Sequence, residues 1–141
     1  LTLNNQQVPF DVEAYADDDA YEAAAESCPR FFTGEGCANQ SSYVNAFYNA
    51  FWADIYSELP LDQDPDELYD FYLTYQDRFV TEYAGTNPGE DIAESWTHFV
   101  LNDRPNGSSV ADQKVQFFYQ YPELVSLREK IRARLYVKSR R

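Results

Sequence analysis

The chain has 141 residues, of which 44% are hydrophobic and 17% aromatic, and its formal net charge is −13. This length allows a buried core, and the hydrophobic content is too high for a disordered tail. We therefore expect a single helical domain over residues 1–141. No stretch approaches the roughly 18 consecutive apolar residues of a membrane span, so no transmembrane segment is predicted.

The charge is distributed unevenly along the chain. Residues 128–141 hold seven Lys/Arg and one Glu, a net charge of +6, which leaves −19 on residues 1–127. The strongly negative charge of residues 1–127 argues against nucleic acid as a partner. We interpret the basic end as cations favoured by the dipole near the C-terminus of a last helix. Contact with an anionic surface is the alternative.

The first predicted elements lie in the N-terminal third of the chain. Residues 11–26 are acidic and rich in alanine, which predicts a short helix around Ala20–Glu26. Cys28 and Cys37 then close a short loop that contains Gly and Pro. Their spacing predicts a disulfide and an oxidising compartment, with two free buried thiols in a cytosolic protein as the alternative. No second Cys or His pair lies near them, so we do not expect them to bind zinc.

Five further helices are predicted from apolar residues at three- and four-residue spacing and from start signals. The expected capping residues of the first three are Ser41 or Ser42, Asp64 and Asn87. The expected ranges are about 42–58, 65–79, 88–101, 109–119 and from 122 onward. No alternating pattern indicates a strand, so the predicted fold class is mostly α.

The helix that starts after Asn87 has two distinct faces. At 100° per residue, Glu90 and Glu94 fall on one face, and Ile92 and Phe99 fall on the opposite one. An apolar face can therefore anchor the helix while both carboxylates point to one spot, as a metal ligand requires. The alternative is structural. Asn87-x-x-Glu90 is also a capping-box pattern, and the helix dipole favours carboxylates in a first turn.

The surrounding stretch is Phe79-Val-Thr-Glu-Tyr-Ala-Gly-Thr-Asn-Pro-Gly-Glu-Asp-Ile-Ala-Glu-Ser95. It resembles the downstream ligand helix of gluzincin metallopeptidases, especially a set of zinc-binding metallopeptidases of bacterial cell envelopes. In that family a His-Glu-x-x-His helix supplies two histidine ligands and the general base. The resemblance implies that Glu90 is the third zinc ligand and that Glu94 orients a ligand histidine. It also implies that Tyr83 stabilises the oxyanion, with an ordinary aromatic at a helix entry as the alternative.

The histidine half of such a site is missing from the chain, whose only histidine is His98. Leu1-Thr-Leu-Asn4 is similar to the segment directly after His-Glu-x-x-His in the family, and the chain has no methionine. We therefore expect the motif to precede Leu1, and these residues to form the helical C-terminal subdomain of a zincin-like catalytic domain. His98 lies one turn beyond Glu94, but two ligands make a poor zinc site, so we expect an ordinary surface histidine there.

These observations predict zinc-dependent peptide-bond hydrolysis in the complete protein, acting on a peptide or protein substrate. The chain alone is predicted to be inactive, because it lacks two ligands and the base. The expected location is extracytoplasmic, as a secreted, periplasmic or cell-surface lipoprotein. The alternative is a secreted acidic helical module that binds a partner or has a structural role without being an enzyme, in which Glu90 only caps its helix.

Overall fold

The computed structural model describes residues 7–139, and in this range the chain is mostly α-helical, as predicted. Apart from one isolated bridge between Phe32 and Cys37, the described residues form no β-structure. Short 3₁₀ turns connect several of the helices. The six α-helices of this range are α1 Asp18–Ser27, α2 Tyr43–Phe51, α3 Pro65–Thr74, α4 Pro88–Leu101, α5 Val110–Phe117 and α6 Pro122–Ser139.

The chain divides into two compact units, Leu1–Asp54 and Ile55–Arg141. The expectation of a single domain over residues 1–141 stays a prediction. The segment Leu1–Asn4, which carries part of the family resemblance, lies outside the described residues. Within residues 7–139 no helix is both long enough and apolar enough to cross a bilayer.

In the first unit, the predicted disulfide between Cys28 and Cys37 is present. It closes the loop between α1 and α2, and the Asn45 side chain of α2 accepts a hydrogen bond from the Phe31 N–H of this loop at 3.4 Å. Gly36 has no room for a Cβ, because the Pro9 carbonyl occupies that position. The disulfide loop is therefore held by α2 and by the backbone near Pro9.

Three predicted helix starts, those of α2, α3 and α4, are confirmed, because the expected side chains cap them. Ser42 accepts from the backbone N–H of the third residue of α2, Asp64 from two N–H groups in the first turn of α3, and Asn87 from the Glu90 N–H of α4. Such caps satisfy donors that have no partner inside the helix. Local sequence was sufficient to locate these starts, because each cap lies within three residues of the group that it binds.

Two predicted helices are shorter than expected. The helix predicted over about 42–58 ends at Phe51, because the N–H groups of Trp52 and Ala53 both donate to the Tyr48 carbonyl. The helix predicted over 65–79 ends at Thr74, where the Tyr75 N–H donates to the carbonyls of both Phe71 and Tyr72. Bonds of this kind tighten or end a last turn, and 3₁₀ turns continue both segments.

The core of the second unit includes the apolar face of α4. Ile92 and Phe99 are fully buried, whereas Leu101 at the helix end is 54% exposed. The Phe99 ring packs against the rings of Phe118 and Tyr119 at centroid distances of 5.4 and 4.7 Å. The predicted apolar face is therefore the face that anchors α4.

The C-terminal end of α4 is held by two arginines of α6. Arg128 donates from Nε to the Phe99 carbonyl at 2.6 Å and from a terminal nitrogen to the Asn102 carbonyl at 2.8 Å. Arg132 donates to the carbonyls of Val100 and Leu101 at 3.0 and 2.9 Å. These carbonyls have no partner inside a helix, and the dipole favours cations there. Part of the basic C-terminal segment thus stabilises the end of α4. The sequence analysis explains these cations only by the dipole of the last helix, to which they belong, and does not predict this contact.

Candidate functional site: a carboxylate cluster at the start of α4

Four polar side chains meet at the N-terminal half of α4 and form what we call the carboxylate cluster: Thr81, Tyr83, Glu90 and Glu94. Thr81 donates from Oγ1 to Glu94 Oε2 at 2.9 Å and accepts from the Ala84 N–H at 3.1 Å. This hydroxyl therefore connects the chain just before α4 to a carboxylate in the second turn of the helix. It fixes the position of the Glu94 carboxylate from outside its own helix.

Tyr83 lies near the second carboxylate, that of Glu90. A hydrogen bond with Glu90 raises the pKa of the Tyr83 hydroxyl above its ordinary value of 10.0, and the charges of Glu90 and Glu94 and partial desolvation act in the same direction. A phenol of ordinary pKa is already protonated at neutral pH, and the upward shift keeps Tyr83 a hydrogen-bond donor further into the alkaline range. Its side chain is 56% exposed, so this donor is accessible from solvent.

The capping alternative for Glu90 is realised only in part. The Glu90 N–H donates to Asn87 Oδ1 at 2.9 Å, so the cap itself is formed. A capping box also needs the Asn87 N–H to bond the Glu90 carboxylate, and no such bond occurs within residues 7–139. Glu90 instead raises the pKa of the nearby Tyr83 hydroxyl. The backbone of Glu90 thus takes part in the cap, while its side chain belongs to the cluster.

Behind the cluster, α4 is attached to α5 by a buried ion pair that sequence analysis did not predict. Lys114 Nζ lies 2.6 Å from Asp91 Oδ2, and both side chains are 0% exposed. Ser95 donates to Asp91 Oδ1 at 3.3 Å. Lys114 Nζ also lies 4.2 Å from the centroid of the Phe79 ring. The sequence contained a signal for this pair. Asp91 and Ser95 fall on the same side of α4 as the apolar Ile92, and a charged group on a buried side needs a partner.

A groove of about 360 Å³ opens on the surface beside Tyr83. Its walls come from the start of α3 and from the 3₁₀ turn before α4. The lining residues are Pro65, Leu68, Tyr69, Glu82, Tyr83, Gly85 and Thr86. Tyr83 is therefore shared by the groove and the carboxylate cluster.

The donor set of the cluster has two carboxylates from Glu90 and Glu94. In the described part of the chain no three His, Cys, Asp or Glu side chains are grouped so that they could hold a metal ion. The ring of His98 pairs with the Asn102 amide through Nδ1 at 3.2 Å, near the end of α4. A catalytic zinc ion usually has three protein ligands. The roles predicted for Tyr83, Glu90 and Glu94 at such an ion stay predictions.

Comparisons with models of protein families, with curated proteins and with solved structures found no match to this chain.

Proposed function

We propose that the protein to which this chain belongs hydrolyses peptide bonds with a zinc ion, and that Glu90 is one of its zinc ligands. The observation that supports this most directly is the arrangement on α4. Two carboxylates lie one turn apart on a helix whose other face is buried. Glu94 accepts a hydrogen bond from Thr81, and Glu90 raises the pKa of the nearby Tyr83 hydroxyl. Carboxylate oxygen is a suitable zinc ligand, and buried anchoring limits the movement of the side chain.

The donor set fits zinc only as part of a larger site. The chain has one histidine, and its ring pairs with Asn102. Under this proposal, two histidines and a general-base glutamate come from residues outside these 141, as a His-Glu-x-x-His helix would supply them. When bound, zinc lowers the pKa of a water molecule to about 7 and polarises the scissile carbonyl.

Each residue of the cluster has a distinct role in the proposed reaction. Glu90 supplies one ligand oxygen from the first turn of α4. Glu94, held in place by the Thr81 hydroxyl, accepts a hydrogen bond from the distal ring nitrogen of a ligand histidine and orients that ring. Tyr83, protonated at neutral pH, donates to the oxygen on which negative charge develops, a contact of a type worth about 2.7–4 kcal/mol where it has been measured.

The proposed location is outside the cytoplasm, in a secreted, periplasmic or lipoprotein form. The disulfide between Cys28 and Cys37 supports it, because such bonds persist in oxidising compartments. The substrate is then a peptide or protein encountered in the cell envelope or beyond it.

The alternative, a binding or structural module without catalysis, is favoured by the Asn87 cap, in which the Glu90 backbone N–H has a structural role without any metal. Glu90→Gln in the complete protein separates the two functions. We expect it to abolish zinc loading, measured by metal analysis after dialysis, while the fold measured by circular dichroism stays intact. The module hypothesis predicts only a fractional loss of the cap, at most about 1 kcal/mol.

Glu67→Gln is the matched control for this experiment. Glu67 occupies the corresponding first-turn position in α3, where its N–H donates to the capping Asp64 at 3.1 Å. The change in helix-dipole interaction is therefore the same, but the residue is not in the cluster. Equal zinc contents of the two variants would rule out Glu90 as a ligand.

A further inference from the structure

Lys114 lies where three separate pieces of the second unit meet. Its ammonium is 2.6 Å from Asp91 Oδ2 on α4 and 4.2 Å from the centroid of the Phe79 ring, and Lys114 itself belongs to α5. Both charged side chains are 0% exposed. A buried lysine without compensation would be strongly unfavourable, so these contacts define where each of the three pieces can lie.

Both of these Lys114 contacts are close in sequence to members of the carboxylate cluster. Asp91 directly follows Glu90 and precedes Glu94 by three residues. Phe79 precedes Thr81 by two residues and Tyr83 by four. The cluster needs Thr81 to reach Glu94 and Tyr83 to reach Glu90, so it depends on the segment 79–86 lying in register against the first turns of α4.

We propose that Lys114 and Asp91 are positioning residues, whose buried ion pair sets the register between the segment 79–86 and the carboxylate face of α4. This inference rests on the proposed function for its consequence in zinc binding, but not for its structural part. An apolar pair could fill the same volume at a similar stability, because replacing a buried ion pair by hydrophobic residues is often neutral. An apolar pair would lack the ammonium that contacts one carboxylate oxygen of Asp91 and the Phe79 ring, so it would not fix the register.

The double variant Asp91→Leu with Lys114→Met tests this distinction. Its overall stability is measured by urea unfolding, and its local order by amide hydrogen exchange in the 141-residue chain. The reporter is the Ala84 amide, which donates to Thr81 Oγ1. Its exchange rate is expressed relative to that of the Phe99 amide in the buried part of α4, and the urea midpoint shows separately whether global stability has changed.

We expect an unfolding midpoint near that of the parent chain and a relative Ala84 exchange rate about thirtyfold higher, the factor that corresponds to losing a desolvated cation–π contact. A relative rate equal to that of the parent would show that the pair only fills space, and would overturn the proposal. Lys130→Met on the exposed surface of α6 is the control for removing a lysine charge.

Phe79→Leu provides a second test if the double variant does not fold. It removes the ring beside Lys114, leaves the ion pair in place, and introduces no unpaired charge. We expect the same relative increase in Ala84 exchange. An unchanged relative rate in this variant would also overturn the proposal.

The functional consequence is measured in the complete protein as zinc affinity. Loss of residues that support a metal ligand typically weakens metal binding about 10–100-fold. We expect a loss of zinc affinity in this range for the double variant and no loss for Lys130→Met. If the complete parent protein binds no zinc, the proposed function fails, and the exchange measurement still decides whether the pair sets the register. If zinc binds with equal affinity to parent and double variant, the functional part of the inference is wrong.

Discussion

Replacing Lys114 alone by methionine should destabilise the chain far more than any surface substitution. The change removes the ammonium 2.6 Å from Asp91 Oδ2 and leaves a carboxylate whose side chain is 0% exposed. Ser95 remains as a donor to Oδ1 at 3.3 Å, but it is neutral. Breaking a buried ion pair on one side costs about 3–5 kcal/mol, because the remaining charge loses its oppositely charged partner.

The cavity contribution to this loss is small, because methionine fills most of the volume of the lysine stem. The expected loss is a large fraction of the roughly 5–15 kcal/mol that stabilises a typical domain. In urea, with a slope of about 2 kcal/mol per M, it corresponds to a midpoint lowered by about 2 M.

Equilibrium unfolding followed by circular dichroism measures this shift directly. Lys130→Met, at an exposed position of α6, is the matched control and should change stability by no more than about 0.5 kcal/mol. A loss below about 1 kcal/mol for Lys114→Met would refute the reasoning. It would mean that solvent reaches Asp91 and that the pair is not isolated from water.

Three further predictions concern the cluster and the end of α4. Because the hydrogen bond and charge of Glu90 raise the pKa of Tyr83, folding stability should fall as pH rises above 10.0 through the raised pKa. Glu90→Gln should lower that pKa, measured by phenolate absorbance against a Tyr83→Phe reference, and an unchanged titration would exclude the interaction. The 141-residue chain alone should bind zinc only weakly by calorimetry, and tight binding would contradict the assigned ligand set. Arg128→Met should cost about 1–3 kcal/mol in urea unfolding, because the carbonyls of Phe99 and Asn102 lose a charged donor. A cost as small as that of Lys130→Met would show that water replaces the arginine there.

The sequence was a good guide wherever the deciding interaction was local. Asn87 and Asp64 cap helices through groups two or three residues away, so their positions could be predicted from residue type alone. The two faces of α4 follow from helical periodicity, and the burial of Ile92 and Phe99 confirms them. The disulfide was also predictable, because the loop between Cys28 and Cys37 is short.

Helix ends were predicted less well, because they depend on competition between bonds that periodicity does not reveal. Apolar spacing continues beyond Phe51 and beyond Thr74, yet both helices end there in shared or tightened hydrogen bonds. Aromatic residues at such positions can pack equally well from a 3₁₀ turn. The pattern therefore predicts which residues face a core, but not the residue at which the helix stops.

The amino-acid sequence by itself determined the mostly helical class, the helix starts, the disulfide and the placing of Glu90 and Glu94 on one helix face. Only the tertiary structure decided which partners those carboxylates have, and that Asp91 is matched by Lys114 and the end of α4 by Arg128. The physical reason is separation along the chain. Caps and faces arise from residues within a turn or two, whereas a buried charge finds its partner only after distant helices have packed together.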